Sequence, residues 1–524
     1  MQELSSVDIL SLACKELAAK ILSREISSPQ VLEIEKIRIA KKYSLGTVIK
    51  NADILLRAES GEPYLKKFLK TKPVRTLSGV ANIAVMWLGT DGFSCPFKCI
   101  FCPQGNTRGV KVFTPKSYTG CEPTTLRAIR NNYDPYLQVT NRLKQLGIIG
   151  HATDKCELII MGGTFLSWHK QNQGDFIKRC FDAFNSVESS SLVEAQKINE
   201  TAKNRCIGLT VETRSDYCSP KDIEWMLCLG TTRVEIGVQT TDDELLSMVK
   251  RSNNAQSNVE AIKRLKEAGI KVTAHWMPGL TGLEKLDMKK EIRDFRKLFD
   301  NPDYRPDELK IYPALVIPGT ELHELWKKGD YQPLSTSQFI DLLIELKRLV
   351  PKYVRVKRVM RDISEHESAA GASTTNIRQL VHEKMAKAGA GCRCIRCREV
   401  GQNRSKPEKI ELQRFDYEAS GGKEIFLSFE DSENDILVAF LRLRIDADST
   451  AKVRELHVYG EMMPIGGIGA WQHKGFGKKL LEEAEAIAKE FGKNRVQVTS
   501  GVGAREYYRK LGYGLEGFYM VKEL

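Results

Sequence analysis

Cys95-Pro-Phe-Lys-Cys99-Ile-Phe-Cys102 follows an apolar run over residues 80–88 that reads as a buried strand. Three cysteines in a C-x3-C-x2-C pattern, on a loop leaving such a strand, can bring three thiolates onto one small inorganic centre. A [4Fe-4S] cluster usually takes four thiolates, so three leave one iron open to bind and reduce a ligand. Spacing alone leaves a zinc knuckle or unrelated thiols as the bland alternative.

Further strand-like runs lie at 156–161, 206–211, 232–238, 271–277 and 308–312, separated by helical patterns of crossover length such as 258–268. Alternation of this kind implies parallel strands joined by right-handed crossovers, and six units predict an incomplete barrel open on one side. In such barrels chemistry collects at the C-terminal strand ends. The first strand leads into the cysteine loop and the second into Gly162-Gly163-Thr164, where missing side chains let a ligand approach the backbone. The next four end in Glu212-Thr213-Arg214, Gln239, Met277-Pro278-Gly279 and Tyr312-Pro313. Polar or backbone-exposing groups at all six ends are hard to read as plain core.

Residues 1–74 precede the barrel, with apolar residues at helical spacing (Ile9, Leu10, Leu12, Leu17, Ile21, then Val31, Ile34, Ile37). Lys36, Arg38, Lys41, Lys42, Lys50, Lys66, Lys67, Lys70, Lys72 and Arg75 lie among and after them, a basic face able to track a phosphate backbone. A solvated helix face is the competing reading. The barrel is assigned to 75–385. Near its end, 346–363 packs Lys347, Arg348, Lys352, Arg355, Lys357, Arg358 and Arg361 together, and alternation of Val354 and Val356 with the cations reads as a half-buried strand with a cationic face.

A second cysteine group, Cys392, Cys394 and Cys397, falls in a linker over 386–409 and reads as a structural metal site, most simply zinc, with His366 or His382 as fourth-ligand candidates. Residues 410–524 then show three strand runs and the turn Gln472-His-Lys-Gly475-Phe-Gly477, opening an amphipathic run over 478–491. Such a turn offers backbone N–H groups and a helix dipole to a pyrophosphate. A strand over 495–499 and the Tyr507-Tyr508 pair complete the order of a GNAT-type α+β acetyltransferase domain.

The 524 residues carry a net charge of +13, which favours a polyanionic partner. Thirteen cysteines, odd in number, with six in two tight groups and the rest scattered singly, do not form a disulfide framework and point to a reducing, cytoplasmic setting. The first residues lack the basic start and apolar core of a signal peptide, and no run is apolar enough for a membrane span.

Taken together, SCPFKCIFCP (94–103), DKCELIIMGGTF (154–165), VEIGVQT (234–240), ELHVYGEMMP (455–464), WQHKGFGKKLLEEAE (471–485) and REYYRKLGY (505–513) resemble the family of Elongator catalytic subunits, in its archaeal single-protein form, over essentially the whole chain. The resemblance implies a radical S-adenosylmethionine (SAM) barrel, an acetyl-CoA domain and a tRNA substrate, with carboxymethylation at C5 of the wobble uridine, U34. By that analogy Cys95, Cys99 and Cys102 hold a [4Fe-4S] cluster, and SAM lies over Gly162, Gly163 and Thr164, with Glu212 and Gln239 at neighbouring strand ends. Lys155 would contact acetyl-CoA between the domains, and Glu455, Leu456, His457 and Val458 would pair with its pantetheine arm. Gln472, Gly475, Phe476, Gly477 and Lys478 would cradle the pyrophosphate, Tyr507 would bind the cofactor, and Tyr508 would approach the thioester. Two rivals stay open: a protein lysine acetyltransferase whose barrel is structural or regulatory, and a nucleic-acid-binding scaffold that senses acetyl-CoA. Monomer and homodimer are both compatible with the sequence.

Overall fold

Seven parallel strands form the central sheet of the computed structural model: β1 (Ala81–Met86), β2 (Lys155–Met161), β3 (Arg205–Thr213), β4 (Arg233–Gln239), β5 (Lys271–Trp276), β6 (Glu308–Ile311) and β7 (Arg355–Val359). They pair in chain order, and β1 and β7 do not meet, so the barrel is open as expected. The structure describes residues 6–524 apart from 47, 59–61, 71–75, 77, 90–94, 104–113, 364, 375, 403–405 and 461–473.

The expectation of six strands is corrected to seven. The cationic segment ending the barrel pairs with β6 as β7 instead of lying on the surface. Arg355 and Lys357, read as a solvent-facing basic face, turn inward and meet Glu399 at 2.6 Å and Glu308 at 3.5 Å. Alternation alone does not say whether a charged face looks at water or at buried carboxylates.

Aliphatic residues such as Val85, Ile160, Val211 and Ile236 are fully buried in the main hydrophobic core, which includes the flanking helices. The lumen is charged instead. Arg233 of β4 reaches both Glu157 of β2 and, at 3.6 Å, Glu308 of β6, contacts between non-adjacent strands that only a curved sheet permits. Barrel interiors are more often filled by branched apolar residues.

Four helices precede the barrel: α1 (Ser6–Leu22), α2 (Pro29–Lys42), α3 (Asn51–Arg57) and α4 (Pro63–Leu69). They share a separate core of Leu17, Ile21, Leu32, Ile39, Ile54 and Leu65. The Ser28 hydroxyl caps α2 by accepting from the Val31 N–H, and Pro29 fills its first turn. The helical spacing was placed one register off here: Ile34 and Ile37 are 66% and 60% exposed, and Leu32 and Ile39 take the core positions. Lys36 also leaves the basic face, since it is buried and paired with Glu33 at 2.6 Å. Arg38, Lys41, Lys42, Lys50, Lys66 and Lys67 remain exposed, while Lys72 and Arg75 lie outside the described residues.

The C-terminal sheet comprises β8 (Glu411–Ala419), β9 (Gly422–Asp431), β10 (Ile436–Ile445), β11 (Thr450–Val458), β12 (Arg495–Val498), β13 (Gly514–Glu516) and β14 (Tyr519–Glu523), in the order 13-14-12-11-10-9-8. Only β11 and β12 are parallel, and they pair from Thr450↔Arg495 to Val453↔Val498 before parting. The helix Phe476–Glu490 covers this sheet, burying Leu480, Leu481, Ala484 and Ile487 in a core of its own.

The two sheets are joined by buried charges. Arg454 donates to Asp307 and Glu424, each at 2.9 Å, Lys271 pairs with Glu455 at 2.6 Å, and Arg442 donates to the same Glu455 at 2.8 Å.

Candidate active site

At the C-terminal strand ends, Cys95, Cys99 and Cys102 line one cavity with Gly163, Thr164, Glu212 and Gln239. Short polar groups and cations surround the sulfurs. Thr164 Oγ1 is 3.3 Å from Cys95 Sγ, Ser117 Oγ is 3.2 Å from Cys102 Sγ, and Arg214 and Arg251 donate to Cys99 Sγ at 3.6 and 3.9 Å. Two guanidiniums beside one sulfur suit a thiolate ligand rather than a packed thiol. The three sulfurs do not draw within 4.8 Å of one another as those of Cys392, Cys394 and Cys397 do, so they fit a multi-atom cluster better than a single tetrahedral ion.

Gly162 (φ 130°) and Gly163 (φ 82°) occupy left-handed backbone that favours glycine. Their roles differ: a Cβ on Gly162 would strike the Trp87 indole at 2.7 Å, whereas Gly163 borders the cavity. Deeper in, Glu212 accepts from Tyr118 Oη at 3.0 Å, and Glu235 is bound by His275 Nε2 at 2.9 Å and by Lys310. Burial alone would raise the Glu235 carboxyl, but Lys310, His275 and Arg233 together hold it well below the usual carboxylate range.

The opposite, N-terminal strand ends form the floor of a second cavity of about 760 Å³, roofed by the C-terminal sheet. Lys155, Arg205, Lys271 and Lys357 line it from the barrel, and Glu455, Leu456, His457, Tyr507 and Tyr508 from the other side. Burial lowers the Lys155 ammonium, partly offset by Asp154, and burial pushes the Tyr507 phenol up to about 12 and that of Tyr508 higher still. Both tyrosines therefore stay protonated donors. Beyond Val453 the edge of β11 loses its partner β12, leaving 454–457 on the wall of this cavity with backbone groups able to pair with an extended ligand, while Val458 is not among its lining residues. Gly475, in left-handed conformation (φ 83°), caps the helix that begins Phe476-Gly477-Lys478, and a Cβ on Gly477 would stand 2.8 Å from Tyr507 Oη.

Both ends match known families. Residues 91–295 match the Radical SAM superfamily, 306–387 the Radical_SAM C-terminal domain, 394–513 the Acetyltransferase (GNAT) family and 10–77 the ELP3 N-terminal domain. The chain is 51% identical over 495 residues to the tRNA uridine(34) acetyltransferase of Methanocaldococcus jannaschii, covering 90% of each chain, and 41% identical to Elongator complex protein 3 of Schizosaccharomyces pombe, covering 98% of each. The chain belongs to the Elongator complex protein 3 family. A solved archaeal member, Methanocaldococcus infernus Elp3 lacking residues 1–46, superimposes with a TM-score of 0.75 at 46% identity, covering 86% of this chain and all of that one. Membership brings a [4Fe-4S] cluster and SAM to the barrel and acetyl-CoA to the GNAT domain.

Within this family frame, the structure brings the cysteines, Gly163, Thr164, Glu212 and Gln239 together at one end, and Lys155, Glu455, Leu456, His457, Tyr507 and Tyr508 at the other. Gln472 lies outside the described residues. Cys392, Cys394 and Cys397 converge within 4.8 Å, with His382 Nε2 3.7 Å from Cys397 Sγ, whereas His366 sits on the turn Glu365–Glu367. Sequence reasoning missed Arg251, Tyr118, His275 and Lys310. The last two carried a signal: a polar residue at every second position of a buried parallel strand marks a lumen that is not plain core. No helix among the described residues is long and apolar enough to cross a membrane.

Proposed function

We propose that this protein attaches a carboxymethyl group to C5 of the wobble uridine of tRNA, drawing the carbon from acetyl-CoA. One observation carries the reading. Arg233 lines the GNAT cavity and Glu235, two residues on along β4, lines the cysteine cavity. Two residues of strand span about 7 Å, so a single layer of side chains separates the two chemistries. A lysine acetyltransferase needs no such proximity.

When bound, the cluster and SAM supply a carbon-centred radical able to take hydrogen from the acetyl methyl, which uridine C5 is too weak a nucleophile to attack directly. The chain's own residues bind and orient. Cys95, Cys99 and Cys102 hold the cluster, with Arg214 and Arg251 offsetting its charge, and Gly163 and Thr164 flank SAM beside Glu212 and Gln239. The free edge of β11 pairs with the pantetheine, the N-terminus at Phe476, Gly477 and Lys478 takes the pyrophosphate, Lys155 faces the acyl end and Tyr508 donates to the thioester. A single-stranded anticodon base costs least to extrude, and the exposed cations of α2–α4 supply salt-dependent affinity for tRNA. Zinc at Cys392, Cys394 and Cys397, with His382 as fourth ligand, anchors the linker.

Anaerobically reconstituted protein given tRNA, acetyl-CoA, SAM and a reductant should yield carboxymethyluridine on digestion and mass spectrometry, and Cys99→Ser should abolish it. Deoxyadenosine without modified uridine would sink the substrate assignment. Acetylation of a peptide that survives Cys99→Ser would favour the acetyltransferase rival. Elemental analysis should find about one zinc per chain, lost in Cys394→Ser.

A further inference from the structure

We propose that His457 is the general base that activates the water cleaving the acyl thioester. The inference rests on the preceding reading, in which carboxymethyl formation requires the CoA thioester to be hydrolysed in the GNAT cavity.

Hydrolysis needs a group that can accept a proton there, and nearly every titratable group on the wall is spoken for. Glu157 is paired with Arg233, Glu308 with Thr273 at 2.7 Å and Lys357 at 3.5 Å, Glu399 with Arg355 at 2.6 Å, and Glu455 with Lys271 at 2.6 Å and Arg442 at 2.8 Å. Glu157, Glu308 and Glu455 are held ionised by their partners, which makes them poor bases, and Glu399 is engaged by Arg355. Burial raises the phenols of Tyr459, Tyr507 and Tyr508, which stay protonated, and apart from His457 the remaining ionisable groups are Lys and Arg side chains.

His457 differs. Its Nε2 lies 2.9 Å from the carbonyl oxygen of Ser78. A carbonyl only accepts, so Nε2 carries the proton and Nδ1 carries a lone pair. No described residue donates to that Nδ1. The ring is clamped in place by Tyr459, with centroids 4.3 Å apart, and stacks on Phe440 at 6.2 Å. It sits on the part of β11 that has lost its partner strand, beside the bound position proposed for pantetheine, in the same cavity as Tyr508. Burial, helped by Arg355 and Lys271 and opposed by Glu455 and the Ser78 carbonyl, keeps the imidazole neutral at neutral pH.

In the step itself the water oxygen bonds to the thioester carbonyl carbon, its proton passes to Nδ1, the C–S bond breaks and CoA leaves as the thiolate. No oxidant or reductant enters. A histidine held by a carbonyl on one nitrogen, with no described donor on the other, has the tautomer this transfer requires.

The test is His457→Gln, which keeps a donor for the Ser78 carbonyl and removes the basic nitrogen. With tRNA, SAM and reductant, CoA release should fall by about 10²–10⁴-fold, the usual contribution of a general base. CoA should then stay joined to the tRNA as a thioester adduct visible by mass spectrometry. In the wild type, release should hold through the ordinary histidine value of about 6.5 and fall only at lower pH, because burial lowers this imidazole, and the acidic limb should be missing in the variant. Release within about threefold of wild type would overturn the proposal, as would a loss matched by weaker acetyl-CoA binding in calorimetry, which would make His457 a binding residue. Wild-type protein that releases no CoA in the presence of tRNA would overturn the parent reading, and this one with it.

Discussion

A Cβ placed on Gly162 would stand 2.7 Å from both Cδ1 and Nε1 of the Trp87 indole, on a backbone with φ 130°. Trp87 is itself locked, stacked on Trp168 at 5.3 Å and edge-on to Phe165 at 5.9 Å, so it has nowhere to move. Gly162→Ala therefore combines backbone strain with overpacking and should cost about 2–5 kcal/mol, read as an earlier barrel transition in urea. Gly163→Ala meets only the Lys116 carbonyl oxygen, at 3.4 Å, so its cost is the left-handed backbone alone. Calorimetry should find it weakening SAM binding more than it lowers the urea midpoint. The sequence presents these glycines as one ligand-facing pair. What separates them is a tryptophan 75 residues away in the chain, which no local pattern discloses.

At the scale of elements, the loop between β12 and the helix Arg505–Arg509 docks the GNAT domain onto the barrel. A Cβ on Gly501 would lie 2.1 Å from the Ile207 carbonyl oxygen, and one on Gly503 would lie 2.6 Å from Arg205 Cβ. Backbone cannot yield as a side-chain tip can. Gly501→Ala should lift the loop from β3 and displace Tyr508, which follows seven residues later. The expected result is a fall in tRNA-dependent CoA release of about 10²-fold, since misplacement by an ångström costs that much. Deoxyadenosine formation, made at the far end of the barrel, should persist, and its loss would show that the loop serves global folding instead. Elements with their own periodicity or motif were legible in the sequence: six barrel strands, the cysteine loop, four of the seven GNAT strands (β9 to β12) and the pyrophosphate helix, while β8, β13 and β14 were not read. Less legible were elements whose reading depends on a partner. β7 passed for a surface strand because its cations are satisfied by Glu308 and Glu399, and α2 slipped register because its core is shared among four short helices.

Across the whole molecule, the buried charges between the sheets form one connected set, with Asp307 at its centre. This carboxylate accepts from Arg454 and from the Val272 N–H, each at 2.9 Å, and lies 3.9 Å from both Lys266 and Arg442. Burial opposes its ionisation, but Arg454, Lys266 and Arg442 outweigh that and hold its carboxyl well below the ordinary value of about 3.9. A carboxylate depressed in the folded state stabilises fully above its unfolded value and loses that contribution as pH falls toward its folded one. Asp307→Asn keeps the shape and removes the charge, leaving three buried cations short of a counter-ion. Breaking such a pair should cost about 3–5 kcal/mol near neutral pH. Other acids, Glu308 among them, share this acid sensitivity, so the absolute urea midpoint at low pH cannot isolate one residue. The difference between wild type and Asp307→Asn can. Urea titrations from pH 7 to pH 2 should show that difference constant down to about pH 4 and shrinking below it. A difference independent of pH would mean that Asp307 acts through packing and hydrogen bonds, and that charge does not hold the two active-site halves together.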